Sequence, residues 1–178
     1  FDDGYKDMYE EAFPILKEYG LPCVLFLPSN MVKGSVDYWW DRLYDYASLV
    51  KNENLLKAIQ PHLSSDNVLQ KIKHLLSTYP DYDNQMIEDL IIEIRKLKQD
   101  TINSILNSIE ALVPKKHFKN FEHNHLITKE DIKEMVLNGA EIGSHTMSHC
   151  FLDSVSEKES RNEIPVSKSD LETLLETD

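Results

Sequence analysis

The run Pro22-Cys-Val-Leu-Phe-Leu-Pro28 constrains this chain more than any other stretch. Its apolar residues are continuous between two prolines, with no polar alternation. A strand of that kind has no face suited to water and belongs in a parallel sheet covered on both sides. Parallel strands need a crossover, and the flanking sequence offers helices for it. Ahead of the run, Met8, Ala12, Ile15, Leu16 and Tyr19 recur at spacings of three and four, which predicts a helix with one buried face that stops at Gly20. Pro14 falls inside this pattern and predicts a kink or a late helix start. A strand at the start of the chain, this helix and the run 22–28 make a βαβ unit.

The alternation of helix and strand returns at Thr128. Thr128 and Asp131 have capping-box spacing, Ile132, Met135 and Val136 form an apolar stripe, Gly139 marks the helix end, and 140–143 reads as a short strand. Ser156 and Glu159 repeat the capping-box signal ahead of Ile164, Leu171, Leu174 and Leu175, with Pro165 as an expected break. Between these parts the composition changes. From about 35 to 125 no glycine follows Gly34, and stripes such as Leu69, Ile72, Leu76 and Ile87, Leu90, Ile91, Ile94, Leu97 have helical spacing. The predicted organisation is therefore 1–34 and 126–178 as two parts of one α/β domain, with 35–125 as an all-helical insertion. Phe1 stands where an initiator methionine is absent, so the chain is expected to be a piece of something longer.

Composition narrows the function. A formal charge of -12 disfavours a phosphate backbone as partner, since the lysines are interleaved with acids. Apolar runs stay far below the roughly 20 residues that span a bilayer. Two cysteines make no disulfide framework; Cys23 reads as a small buried hydrophobe, while Cys150, next to His149, suits either packing or a thiolate ligand.

Two short segments carry chemistry. The chain opens Phe-Asp-Asp-Gly, and 139–149 reads Gly-Ala-Glu-Ile-Gly-Ser-His-Thr-Met-Ser-His. His145 and His149 lie one helical turn apart if the segment coils, so both imidazoles could face one divalent ion, with an aspartate from another strand end completing the set. The same spacing also suits an exposed helix. Adjacent aspartates repel unless a cation lies between them, which would let one hold the ion and the other accept a proton from water. Asp-Asp-Gly is equally a helix-capping turn. Trp39 and Trp40, with Leu43 and Tyr44, could line a saccharide cleft or staple the insertion to its core.

Taken together, 1–4 with its following helix, 22–27 and 139–149 resemble the first two signature motifs and intervening strand of the polysaccharide deacetylase family, the NodB homology domain of carbohydrate esterase family 4. The segment from Leu152 through Ser156, Glu159, Glu163-Ile164, Ser167-Lys168 and Leu171-Glu172 resembles the helix that follows the second motif. The resemblance implies part of a distorted (β/α) barrel, into which the all-helical stretch 35–125 would be inserted. It implies Asp2 as general base, Asp3, His145 and His149 as ligands of one divalent metal, Zn2+ first and Co2+, Ni2+ or Mn2+ as alternatives, and Thr146 and Ser148 as shapers of the loop. The family segments that supply oxyanion donors and the general acid have no match after Cys150, which implies the metal half of a site and a feeble isolated fragment.

The activity implied is hydrolysis of N-acetyl, or else O-acetyl, groups on an acetylated surface or cell-wall polysaccharide, in a setting outside the cell, at the cell surface or in the periplasm. A hydrolase of smaller acyl or formyl amides and a non-catalytic carbohydrate-binding or scaffold module are the alternatives.

Overall fold

The computed structural model describes residues 1–34, 38–79, 81–117 and 126–175. In chain order the elements are α1 (Phe13–Glu18), β1 (Val24–Leu27), α2 (Ser29–Val32), α3 (Trp39–Ala47), α4 (Asn52–Ile59), α5 (Asp66–Thr78), α6 (Asn84–Ile94), α7 (Gln99–Glu110), α8 (Lys129–Leu137), β2 (Glu141–Ser144) and α9 (Glu157–Leu175). They fall into two compact units: 1–36 with 123–178, and 37–122.

The first unit is built on β1 and β2, paired in parallel with Val24 opposite Glu141 and Leu27 opposite Ser144. The first residues of the chain pair along the other edge of β1. Asp2 bridges to Phe26 in parallel, Phe26 N–H donates to Phe1 O at 2.8 Å, and Asp3 N–H donates to Phe26 O at 3.0 Å. Leu25 and Leu27 are fully buried on the face covered by Met8, Phe13, Ile132, Met135, Leu171 and Leu174. Phe26, on the opposite face, is 42% exposed.

The parallel pairing agrees with part of the expected α/β architecture. The described residues form a mostly helical chain with a two-stranded parallel sheet, and no barrel is present among them. The two-sided burial expected of the run 22–28 holds for one side only.

Pro14 lies inside a helical run that is continuous over 6–18. A π-wound turn over Met8–Ala12 precedes α1, where Pro14 occupies the first turn. The wider turn, with Phe13 N–H donating to Met8 O, carries the helix past the proline without ending it. Pro165 also lies inside α9 without ending it. Gly4 turns the chain away from the sheet at φ 78°, where a Cβ would come within 2.7 Å of Met31 Cε and 2.9 Å of Leu27 Cδ2. Only glycine fits that close approach.

Both capping boxes form. Thr128 Oγ1 accepts from Asp131 N–H at 3.1 Å and Asp131 Oδ2 accepts from Thr128 N–H at 2.7 Å. Ser156 N–H donates to Glu159 Oε2 at 2.8 Å, and Glu159 N–H donates weakly to Ser156 Oγ at 3.3 Å. Asp131 also accepts from Lys6 Nζ, joining α8 to the N-terminal segment. Burial pushes its carboxyl up, but Lys6 and the Thr128 hydrogen bonds outweigh this and hold it below the ordinary value of 3.8. A carboxyl depressed in the folded state adds stability above its unfolded pKa and loses it as pH falls through the lower folded value. Asp131→Ala should therefore lower the unfolding free energy at pH 7 by about 1 kcal/mol, the usual worth of a cap. The gap from wild type should close as denaturation is repeated below about pH 3.8. An undiminished gap in acid would refute this source of stability.

The second unit, α3–α7, is a helical bundle with its own core. Leu43, Leu55, Ile59, Ile72, Met86, Ile87, Leu90, Ile105 and Ile109 are fully buried in it, and each such side chain contributes roughly 1.5–3 kcal/mol by leaving water. Asp83 caps α6 by accepting from Gln85 N–H at 2.7 Å. Arg42 and the Tyr46 hydroxyl both donate to Glu110 Oε2, at 2.9 and 3.0 Å, tying α3 to α7. No helix among the described residues is long and apolar enough to cross a membrane.

Candidate metal centre

Residues 1–3, β1 and β2 all run the same way, so their carboxyl ends open together, the end at which open α/β sheets bind ligands. His145 continues the ladder by donating from its N–H to Leu27 O at 3.1 Å. The chain then leaves strand geometry. Thr146 (φ 66°), His149 (φ 60°) and, in the facing segment, Asp3 (φ 70°) are left-handed, and no other described non-glycine residue has positive φ. Each such residue costs on the order of 1–2 kcal/mol, and strain of this kind collects at functional sites.

The left-handed residues bring the histidines together in place of the helical turn expected from their spacing. Their ring centroids are 4.8 Å apart with planes at 71°. Both rings aim at one carboxylate oxygen: His149 Nε2 is 2.8 Å from Asp3 Oδ1 and His145 Nε2 is 3.3 Å from it. The three donor atoms all lie within 4.8 Å of one another, the one such group among the described residues. Asp3 and His149 are largely covered, while the His145 side chain keeps 39% of its surface and leaves the cluster open on its side. Burial pushes the Asp3 carboxyl up. The hydrogen bond with His149 and the charges of His149 and His145 outweigh it and hold the group below 3.8.

Two imidazole nitrogens and an ionised carboxylate make a donor set that suits zinc and its first-row neighbours. The residues present fit such an ion in number, type and convergence.

The other residues singled out in the sequence lie elsewhere. Asp2 is exposed, outside the three-atom cluster, and shares a cross-strand row with Phe26 and Gly143. Trp39 is buried in the core of the helical unit and Trp40 packs partly buried against it; Trp40 also stacks on Tyr38 at 4.6 Å and 11°. Cys23 and Cys150 are both free. Burial and the neighbouring Glu163 push the Cys150 thiol up, which keeps it protonated. His62 pairs with Ser108 Oγ at 2.7 Å within the helical unit. His123 and His125 lie outside the described residues.

Sequence reasoning placed Glu163 and Ser167 on the helix after the second motif but did not foresee that they form a buried polar stripe of α9. Glu163 is 8% exposed and Ser167 is fully buried. Ser167 Oγ accepts from Ser144 Oγ at 2.8 Å and donates to Thr146 O at 2.6 Å. Asp170 Oδ2 accepts from Ser29 Oγ at 2.8 Å and Lys33 Nζ at 2.6 Å, fixing α2. Its carboxyl is held below 3.8 by those two hydrogen bonds. The signal was present in the spacing: Glu163, Ser167, Leu171 and Leu174 form one helical face, so two polar residues occupy a stripe that continues as core.

Residues 92–178, from the end of α6 through α9, match the family model for polysaccharide deacetylase. The C-terminal half of the chain is thus similar to the polysaccharide deacetylase family. A 27-residue stretch is 52% identical to a putative polysaccharide deacetylase, YxkH, of Bacillus subtilis (strain 168), covering 15% of this chain and 10% of that protein. The chain thus aligns with about a tenth of the length of the curated relative it matches. No solved structure matches it significantly. The deacetylase match includes His145 and His149 and stops far short of Asp3, which joins them only through the fold.

Proposed function

We propose that this chain carries the metal-binding part of a deacetylase that hydrolyses N-acetyl groups, with O-acetyl groups as the alternative, of a surface or cell-wall polysaccharide. The supporting observation is the convergence of Asp3 Oδ1 with His149 Nε2 and His145 Nε2. In this reading Asp3, His145 and His149 hold one divalent ion, with Zn2+ as the natural occupant and Co2+, Ni2+ or Mn2+ as substitutes. When bound, the ion supplies Lewis acidity toward the acetyl carbonyl and makes water a stronger acid.

The chain's own residues supply part of the remainder. Asp3 stays ionised at neutral pH because its carboxyl is held low, so the site presents negative charge to a cation. Both imidazoles present Nε2 toward Asp3 Oδ1, where together they would hold such an ion. Asp2, exposed on the adjoining row of the sheet, takes the proton of the attacking water at its carboxylate and carries it until the leaving nitrogen accepts it. The partner is an acetylated oligosaccharide or polysaccharide met outside the cytoplasm.

The test is release of acetate and free amine from an N-acetylated amino-sugar oligomer after chelation and after zinc is restored, with an O-acetylated oligomer in parallel. Amine release that depends on metal is expected. Failure to form amine at any metal loading, with acetate released from the O-acetylated oligomer alone, would overturn the N-deacetylase reading.

A further inference from the structure

Glu163 stands on α9, outside the proposed ligands, yet it is among the most heavily committed side chains of the first unit. Its Oε2 accepts from two successive backbone groups, Met147 N–H at 2.9 Å and Ser148 N–H at 2.8 Å. Its Oε1 accepts from the Ser148 hydroxyl at 2.7 Å. Successive N–H groups turned toward one point form an anion-binding concavity, and here a side chain of the same protein fills it. The dipeptide it holds lies between Thr146 and His149, the two left-handed residues of the loop.

We propose that Glu163 is a positioning residue for the histidine pair: it sets the backbone of Met147 and Ser148 so that His149 folds back onto Asp3 and His145. The rest of the loop is pinned from other directions. His145 N–H is held by Leu27 O, Thr146 O accepts from Ser29 N–H at 3.2 Å, and Met147 O accepts from Asn30 N–H at 2.9 Å. These contacts fix the start of the loop and its outward carbonyls. The inward N–H groups of 147 and 148 depend on Glu163. Without it, two N–H groups lose their carboxylate acceptor in a part-buried setting, and the dipeptide leading into the strained His149 loses that restraint.

The chemistry of the carboxylate separates positioning from mere bulk. Glutamine in the same place can accept both N–H groups at its amide oxygen and donate its amide N–H to the Ser148 hydroxyl, whose proton can rotate away. Glu163→Gln should thus preserve the loop, whereas Glu163→Ala cannot.

This inference rests on the proposed metal site, and one experiment keeps the two apart. Cobalt(II) affinity and the visible ligand-field spectrum are measured on the wild-type chain, Glu163→Ala, Glu163→Gln, Ser148→Ala and His149→Ala, with circular dichroism on each. Partners that orient metal ligands typically cost 10–100-fold in affinity when lost. Glu163→Ala is expected to weaken cobalt binding by about 10–100-fold and alter the spectrum. Glu163→Gln should stay within a few-fold of wild type, and Ser148→Ala should fall between them. If the wild-type chain binds no cobalt, the metal site itself fails. If wild type binds, His149→Ala does not, and Glu163→Ala binds with wild-type affinity and spectrum, the positioning role fails alone. Should Glu163→Ala not fold, Ser148→Ala and Glu163→Gln decide: unchanged binding and spectra in Ser148→Ala together with a large loss in Glu163→Gln would also overturn it.

Discussion

His149→Ala will leave the chain unable to retain a stoichiometric divalent ion through gel filtration, while wild type retains one. Of the three donors, His149 is the most covered and makes the shortest approach to Asp3, at 2.8 Å. Its removal takes away one of the three proposed ligands and also the bond between its ring and the Asp3 carboxylate. The affinity loss should exceed the roughly 10–100-fold that accompanies loss of an outer partner. A readout without metal exists as well. The hydrogen bond from His149 is the leading cause of the lowered Asp3 pKa after burial is overcome. In the metal-free variant the Asp3 carboxyl should titrate higher than in wild type, followed by its side-chain NMR shift. Equal zinc content in wild type and His149→Ala would remove His149 from the ligand set.

The second large effect is expected at Asp2. Asp2→Asn keeps size and backbone, and the carboxyl is exposed and outside the donor cluster, so metal content should be unchanged. A positioned general base is typically worth about 10²–10⁴ in rate. Turnover on an N-acetylated oligomer should fall by that factor with little change in KM. Asp3→Asn, by contrast, should lose metal and activity together. Activity of Asp2→Asn within about tenfold of wild type would lie below that range and assign the base elsewhere.

The contrast between the two aspartates is a property of the fold. They are neighbours in sequence and chemically identical, yet the parallel bridge of Asp2 to Phe26 sends it to the row of exposed Phe26, while the left-handed turn at Asp3 carries the next carboxylate to the histidines. Family resemblance assigned them different roles. Backbone geometry makes the two carboxyls differ: one is held low and largely covered beside the histidines, and the other is open to solvent.

Local structure was legible because it is encoded locally. The run 22–28 contains β1, the run 140–143 overlaps β2, and the Thr128 and Ser156 capping boxes form as their spacing requires. Stripes such as Ile87, Leu90 and Ile94 are core in α6. Such signals depend on periodicities of two or of three and four, and on hydrogen bonds that span three residues. Pro165 was misread for a related reason: helix propensity disfavours proline, but tertiary packing on both sides of it keeps α9 continuous, with Glu163 and Ser167 buried around it.

The sequence by itself determined the elements, the two chemical segments and the helical character of the middle of the chain. Tertiary structure alone decided that one face of the sheet stays open, that the histidines converge through left-handed residues and not through a helical turn, and that α9 braces their loop through Glu163. The reason is range. Asp3 and His149 lie 146 positions apart, and Glu163 reaches Ser148 only because a helix packs beside the strand. Contacts of that kind leave no periodic trace in the chain and exist once the core beneath them has closed.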